Sequence, residues 1–239
     1  MLRLITDFDG PIMDISERYY RVYQHCLAES KRPDRPVQVL SKQEFWGMKR
    51  SRIPETQIGI LSGLEEPQAE QFASLRRQTV HTLPYLTLDT LVPGAVAALE
   101  KVQQMGADLV VMTMRRECEL EAAFSEWDLG RFFPPERCYC LPNDYIKTAD
   151  VTDKPLLMAK ALAELPPASE TWMVGDTEAD IIAAKTNDVK VIAVLSGIRD
   201  RAQLEIHQPD LIVNHLAEAV EVICDRSLPA VGAGELINS

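Results

Sequence analysis

The sequence predicts an α/β fold, with a Rossmann-like parallel sheet as its core and a helical cap inserted after the first strand. Three observations predict it. Short runs rich in β-branched residues recur at Leu2-Arg3-Leu4-Ile5-Thr6, Asp108-Leu109-Val110-Val111-Met112, Thr171-Trp172-Met173-Val174 and Val189-Lys190-Val191-Ile192-Ala193-Val194. Helix-like stretches separate them, as in parallel strands joined by helical crossovers. Between about 15 and 90 the pattern changes: helical spacings such as Tyr20, Tyr23, Leu27 and Phe72, Leu75, Thr79 recur without a convincing strand.

Taken in order, the first strand runs from Leu2 into the acidic turn Asp7-Phe8-Asp9-Gly10-Pro11. The insertion follows directly, so it is expected to sit as a lid over the sheet edge where open α/β sheets bind ligands. Pro93 opens and Gly106 closes a helix with Val96, Leu99 and Val102 on one face. Pro155 begins another through Leu156, Leu157, Ala161 and Leu162, and a third, Glu178 to Thr186, follows the Gly175-Asp176 turn. The expected organisation is a core of 1–14 and 91–226, a cap of 15–90, and a loose tail of 227–239, where periodicity fades.

The formal net charge of -11 argues against nucleic acid or an anionic membrane as partner, since clustered Lys and Arg drive binding to both. An anionic substrate then needs local positive charge. No apolar run approaches the roughly 18 residues of a membrane helix and no leader is evident, so a cytoplasmic protein, monomer or dimer, is expected. The five cysteines are odd in number and lack CxxC spacing, which supports neither zinc nor a disulfide framework. His25, His81, His207 and His215 are dispersed and suggest no triad.

The chemistry-bearing residues lie at predicted strand ends. Asp7 and Asp9 put two mutually repelling carboxylates within a few ångströms, a repulsion that Mg2+ relieves while keeping a place for substrate phosphate. Asp176 and Asp180, four apart where a strand enters a helix, can complete such a site; acids that complement a helix dipole are an equally good reading. Thr113 and the amides after it, Met114 first, can bind phosphate oxygens at the next helix start, or Thr113 is an ordinary N-cap. Lys154 adds an ammonium beside the same edge, though a surface lysine is the commoner explanation.

What changes the balance is the ordered set. Asp7-Phe8-Asp9-Gly10, Thr113, Lys154 with Pro155, and Gly175-Asp176 through Asp180 resemble the four motifs of the haloacid dehalogenase-like phosphatases, over roughly Leu2 to Cys224. The resemblance implies that Asp7 is the nucleophile and that Asp9, protonated at the start, is general acid and then base. Asp7 and Asp176 would ligate Mg2+ by side chain and Asp9 by its carbonyl, with Asp180 supporting the metal. Thr113 and Lys154 would hold the transferring phosphate, with the amides of Phe8 and Asp9 facing it and Met114 as a further substrate-binding residue. The implied activity is hydrolysis of a small anionic phosphorylated metabolite, a phosphate monoester, through an aspartyl-phosphate, nearest to phosphoglycolate phosphatase. A phosphosugar mutase and a non-catalytic binding module on the same fold are the alternatives.

Pro11 departs from the Thr or Val usual in the family and stiffens the loop. Substrate choice is assigned to the cap, with Arg50, or its neighbour Lys49, as the candidate cation. Arg115 and Arg116 can reach a substrate carboxylate or simply cover the sheet edge, and both stay outside the catalytic set. Tyr19, Tyr20 and Tyr23 read as packing on one helix face.

Overall fold

The computed structural model describes residues 1–227, so the tail expected over 227–239 lies outside the described residues except for Ser227, which still belongs to the last helix. Strand β1 (Leu2–Thr6) leads through the acidic turn to a two-residue strand, β2 (Met13–Asp14). Five helices follow: α1 (Ser16–Ser30), α2 (Lys42–Arg50), α3 (Glu55–Leu61), α4 (Glu66–Thr79) and α5 (Leu83–Leu86). The chain returns through β3 (Thr90–Leu91), which pairs antiparallel with β2. This small ribbon, too short to show a period in sequence, forms both crossings between helical insertion and sheet.

The remainder alternates: α6 (Ala95–Gln104), β4 (Asp108–Arg116), α7 (Glu117–Trp127), β5 (Cys138–Leu141), α8 (Asp150–Glu164), β6 (Glu170–Gly175), α9 (Glu178–Thr186), β7 (Lys190–Val194), α10 (Arg201–Glu205), β8 (Leu211–Val213) and α11 (Leu216–Ser227). The six longer strands form one sheet in the order β5-β4-β1-β6-β7-β8, and every pairing is parallel. This is the predicted Rossmann-like fold.

Strand alternation divides the core in two. Leu4, Leu109, Val111, Trp172, Val174, Ile192 and Val194 face one side, where α6, α7 and α11 cover them with Leu99, Leu120 and Val220. Ile5, Val110, Met112, Met173, Val191 and Ala193 face the other, under Met158 of α8 and Ile181 of α9. Both faces of the sheet are therefore dry, which is why its strands read as continuous apolar runs. The inserted helices have their own core, centred on Tyr23, Phe45, Ile58 and Phe72.

Three element boundaries differ from the sequence reading. Helix α6 starts after Gly94, whose φ of +82° sets the entry turn, so Pro93 precedes the helix instead of opening it. Helix α8 begins at Asp150 and Pro155 lies inside it. The Asp153 carboxylate closes its first turn by accepting from the Thr148 amide at 2.9 Å and hydroxyl at 2.8 Å. The carbonyl that Pro155 leaves without a donor, on the exposed Val151, lies in that same turn, where water can satisfy it. Strand β4 continues past Met112 to Arg116, with an irregularity in its pairing to β5 between those two residues.

Candidate active site

Strand β1 is where the sheet order turns, with β4 on one side and β6 on the other. Loops leaving such adjacent strands diverge and open a crevice at their carboxyl ends. Asp7 and Asp9 follow β1, Asp176 follows β6, Thr113 lies near the end of β4, and Lys154 reaches in from α8. They line one cleft of about 290 Å³ together with residues of the helical insertion. Glycines make the crowding possible. A Cβ on Gly10 would stand 2.3 Å from Asp176 Cγ, and one on Gly197 1.8 Å from Asp176 Oδ2. Gly10 also has φ +92°, so two independent constraints require glycine after the acid pair.

The first ionic group in the cleft is Asp7, Asp176, Asp180 and Lys154, all buried. Lys154 Nζ lies 2.8 Å from Asp7 Oδ2 and 2.5 Å from Asp180 Oδ1. The Phe8 amide donates to Asp7 Oδ1 at 2.7 Å, so both oxygens of Asp7 are fixed. The Ile198 amide donates to Asp176 Oδ2 at 2.6 Å. Asp180 caps α9: its Oδ2 accepts from the amides of Asp176 (3.2 Å) and Thr177 (3.0 Å) and from the Thr177 hydroxyl (2.7 Å). Asp180 therefore shapes the Asp176 turn and holds Lys154. Carboxylate oxygens of Asp7, Asp176 and Asp180 lie within 4.8 Å of one another.

Burial pushes the Asp7 carboxyl up to about 7, Lys154 pulling it down and Asp180 pushing it further up. Asp176 is raised well above the carboxylate range by burial and by the charges of Asp180 and Asp7. Three crowded carboxylates against one lysine suit a hard divalent cation, which takes oxygen ligands.

The second group surrounds Asp9 and was largely missed by sequence reasoning. Arg115 Nε donates to Asp9 Oδ1 at 2.8 Å, and Arg18 Nη2 donates to Asp9 Oδ2 at 2.8 Å. Asp89 joins both arginines, with Arg18 Nε 3.0 Å from its Oδ1 and Arg115 Nη2 on its Oδ2. Arg18, Asp89 and Arg115 are all buried. Burial opposes ionisation of Asp9, but the guanidiniums of Arg115 and Arg18 overcome it and hold this carboxyl well below its usual range. Asp89 is pushed up to about 7 by burial, the arginines opposing the rise and Asp9 adding to it. Asp9 thus rests as a carboxylate, contrary to the expectation that it starts protonated, because both its oxygens accept from guanidiniums.

Two signals pointed at these partners. Arg18 shares the buried face of α1 with Val22 and Cys26, and a charge on an apolar stripe demands a partner. Arg115 is two residues from Thr113 in a strand, hence on the same face. Asp89 has no such signal.

Other candidates are placed as follows. Met114 lines the cleft, whereas the Phe8 ring is fully buried and only its backbone takes part. Thr113 lines the cleft too, but the helix expected right after it starts at Glu117, and the Arg115 amide donates to the Thr113 hydroxyl at 3.2 Å. Pro11 deprives the acidic loop of nothing: the loop closes through the amides of Gly10, on the Met13 carbonyl, and of Ile12 and Met13, on that of Phe8. Arg50 is not among the residues lining the cleft. Its Nη2 donates to the carbonyls of Leu195 (2.9 Å) and Arg199 (3.1 Å), and with Ser51 on Asp200 it clasps the insertion to the sheet. A cation at a helix C-terminus finds backbone acceptors wherever the next element packs, which spacing does not reveal. Tyr20 and Tyr23 pack through hydroxyl bonds to Leu40 and Ser62, while Tyr19 lines the cleft beside Lys49 and Arg76.

Fold and site together define a protein with an aspartate-centred crevice at the switch point of a parallel sheet. A family profile described as HAD-hydrolase-like matches residues 153–219. Over 216 residues the chain is 23% identical to a phosphoglycolate phosphatase of Pseudomonas fluorescens, covering 89% of this chain and 76% of that one. It is 22% identical to the pyrophosphatase PpaX of Bacillus cereus, covering 94% and 97%. A haloacid dehalogenase-like family hydrolase from Streptococcus pneumoniae has the same fold, with TM-score 0.67, 18% identity, and 92% and 97% of the two chains covered. These matches agree with the resemblance to haloacid dehalogenase-like hydrolases.

Proposed function

We propose that the protein is a Mg2+-dependent phosphatase that hydrolyses a small phosphate monoester through an aspartyl-phosphate on Asp7. The observation that carries this reading is the setting of Asp7: one oxygen on the Lys154 ammonium, the other on the Phe8 amide, among buried carboxylates at the floor of a cleft. Relatives named for phosphoglycolate and for pyrophosphate support the phosphoryl chemistry. Asp7 and Asp176 offer side-chain oxygens to the cation and Asp9 its backbone carbonyl, with Asp180 orienting both Asp176 and Lys154. The bound ion would neutralise charge between anionic nucleophile and anionic phosphate.

The residues of the chain then act in sequence. Lys154 and Thr113, with the Phe8 and Met114 amides, hold the phosphoryl oxygens; an Asp7 oxygen attacks phosphorus; and the ester P–O bond breaks. The leaving oxygen takes a proton from Asp9. Water attacks the aspartyl-phosphate, Asp9 accepts its proton, and phosphate leaves with Asp7 restored. The resting state described above suits the second half-reaction, since Asp9 is held as a base. To act first as an acid it must be released by one arginine and take up a proton from solvent before the ester P–O bond breaks; Arg18 belongs to the inserted helices and Arg115 to the sheet, so movement of the insertion is the natural release.

Phosphate release from a panel of small phosphate esters, with Mg2+ or EDTA, tests the reading with wild type beside Asp7→Asn. Metal-dependent release that the substitution abolishes is expected. Release that survives Asp7→Asn would overturn it.

A further inference from the structure

The cleft carries more positive charge than its chemistry at Asp7 uses. Seven cationic side chains and five carboxylates line it, in a chain of net charge -11. On the sheet side the cations are committed: Lys154 to Asp7 and Asp180, Arg115 to Asp9 and Asp89, Lys147 to Asp150 at 2.6 Å, and Arg199 to Glu178 at 2.7 and 3.0 Å. The surplus lies on the side built by the inserted helices. There Lys49 of α2 and Arg76 of α4 share one carboxylate oxygen, Glu55 Oε1. Arg77, the next residue of α4, has no carboxylate partner among the described residues and is exposed at the cleft.

A second observation makes the Arg76 pairing hard to explain as packing alone. Its guanidinium is buried between the rings of Tyr19, 5.3 Å away, and Phe45, 5.6 Å away. Its Nε and Glu55 Oε2 are buried without a hydrogen-bond partner. A 2:1 cluster of cations and anion in such surroundings is costlier than a balanced pair. A further negative charge in the cleft would complete this cluster.

We propose that Lys49, Arg76 and Arg77, with Glu55 tuning their charge, read a second anionic group on the substrate. The substrate class is then a small phosphate ester or anhydride whose second group, a carboxylate or another phosphate, lies within the span of a 290 Å³ cleft. Guanidinium and ammonium donors recognise either group. Glu55 limits the surplus so that a singly charged second group is neutralised without over-binding. The inference rests on the phosphatase reading and adds to it the residues that choose the substrate.

The experiment measures kcat/KM on 2-phosphoglycolate, pyrophosphate and ethyl phosphate for wild type, Lys49→Met, Arg77→Met and Glu55→Gln, with Asp7→Asn alongside. Wild type is expected to prefer one of the two doubly anionic compounds over ethyl phosphate, and which one it prefers separates carboxylate from phosphate as the group read. Lys49→Met and Arg77→Met are each expected to lower that preference about tenfold, the loss of one charge-assisted contact, mainly through KM. Glu55→Gln should raise it. Asp7-dependent hydrolysis with no preference, or variants that lower all three compounds equally, would overturn the inference and leave the phosphatase reading standing. Release from none of the three by wild type would sink both.

Discussion

Two ionic groups flank the tripeptide Asp7-Phe8-Asp9, and their bookkeeping differs. Around Asp9, two aspartates face two arginines, and each carboxylate is ion-paired with both guanidiniums. Around Asp7, three aspartates share one lysine. The balanced group includes Arg18 and Asp89, which flank the two chain crossings at β2 and β3, so it holds the inserted helices against the sheet. The unbalanced group belongs wholly to the sheet side and needs additional positive charge to ionise fully. One loop thus joins two settings: a crowded set of carboxylates at its first acid, and a balanced tie between sheet and insertion at its second.

The comparison is broken most strongly at Asp9. Asp9→Asn is expected to lower turnover by about 10²–10⁴, the usual worth of a general acid–base, measured by steady-state phosphate release; a change under tenfold contradicts the role assigned to it. Lys154→Met follows, with an expected loss of about 10²–10³ for one preorganised cation at the transferring phosphate. It should also destabilise the metal-free protein, in urea denaturation, and Mg2+ should recover much of that loss because the ion replaces the missing charge.

Asp89→Asn sharpens the contrast from the other side. Removing one carboxylate from two buried guanidiniums is expected to cost about 3–5 kcal/mol, and Mg2+ should not restore it. Equal rescue of both variants by Mg2+ would erase the distinction between the groups.

The smallest effect is on pH. Asp7 and Asp89, both pushed up to about 7, keep protons in the fold that the unfolded chain releases near 4. Stability without metal therefore falls as pH rises between about 4 and 7. His81, pushed down to about 4 by burial, opposes this up to about 6.5 and removes part of the slope. Urea midpoints in EDTA at pH 5 and pH 8 should show the lower value at pH 8, with Mg2+ narrowing the gap; a higher midpoint at pH 8 in EDTA contradicts the assignment.

The fold was legible because the two dry faces of the sheet leave unbroken apolar runs, and helix α9 follows its glycine turn from Glu178 to Thr186 as its capping sequence dictates. Helix α8 was not, since Pro155 resembles a first-turn proline and the real start depends on how Asp153 bonds Thr148. The Asp7 group was readable because Asp7 and Asp176 directly follow strands β1 and β6, and Asp180 and Lys154 lie near the starts of α9 and α8. The Asp9 group was not, because Arg18, Asp89 and Arg115 come from two helical crossings and a strand, and only tertiary packing joins them. Arg50 shows the same limit: the side chain reaches for whatever carbonyls the neighbouring loop presents.

The most direct test is to quench the protein in acid during turnover with Mg2+ and locate any covalent phosphate by peptide mass spectrometry. The account predicts phosphate on the peptide that contains Asp7, absent with EDTA and absent from Asp7→Asn. Phosphate release with no covalent adduct, or an adduct on another residue, would contradict it.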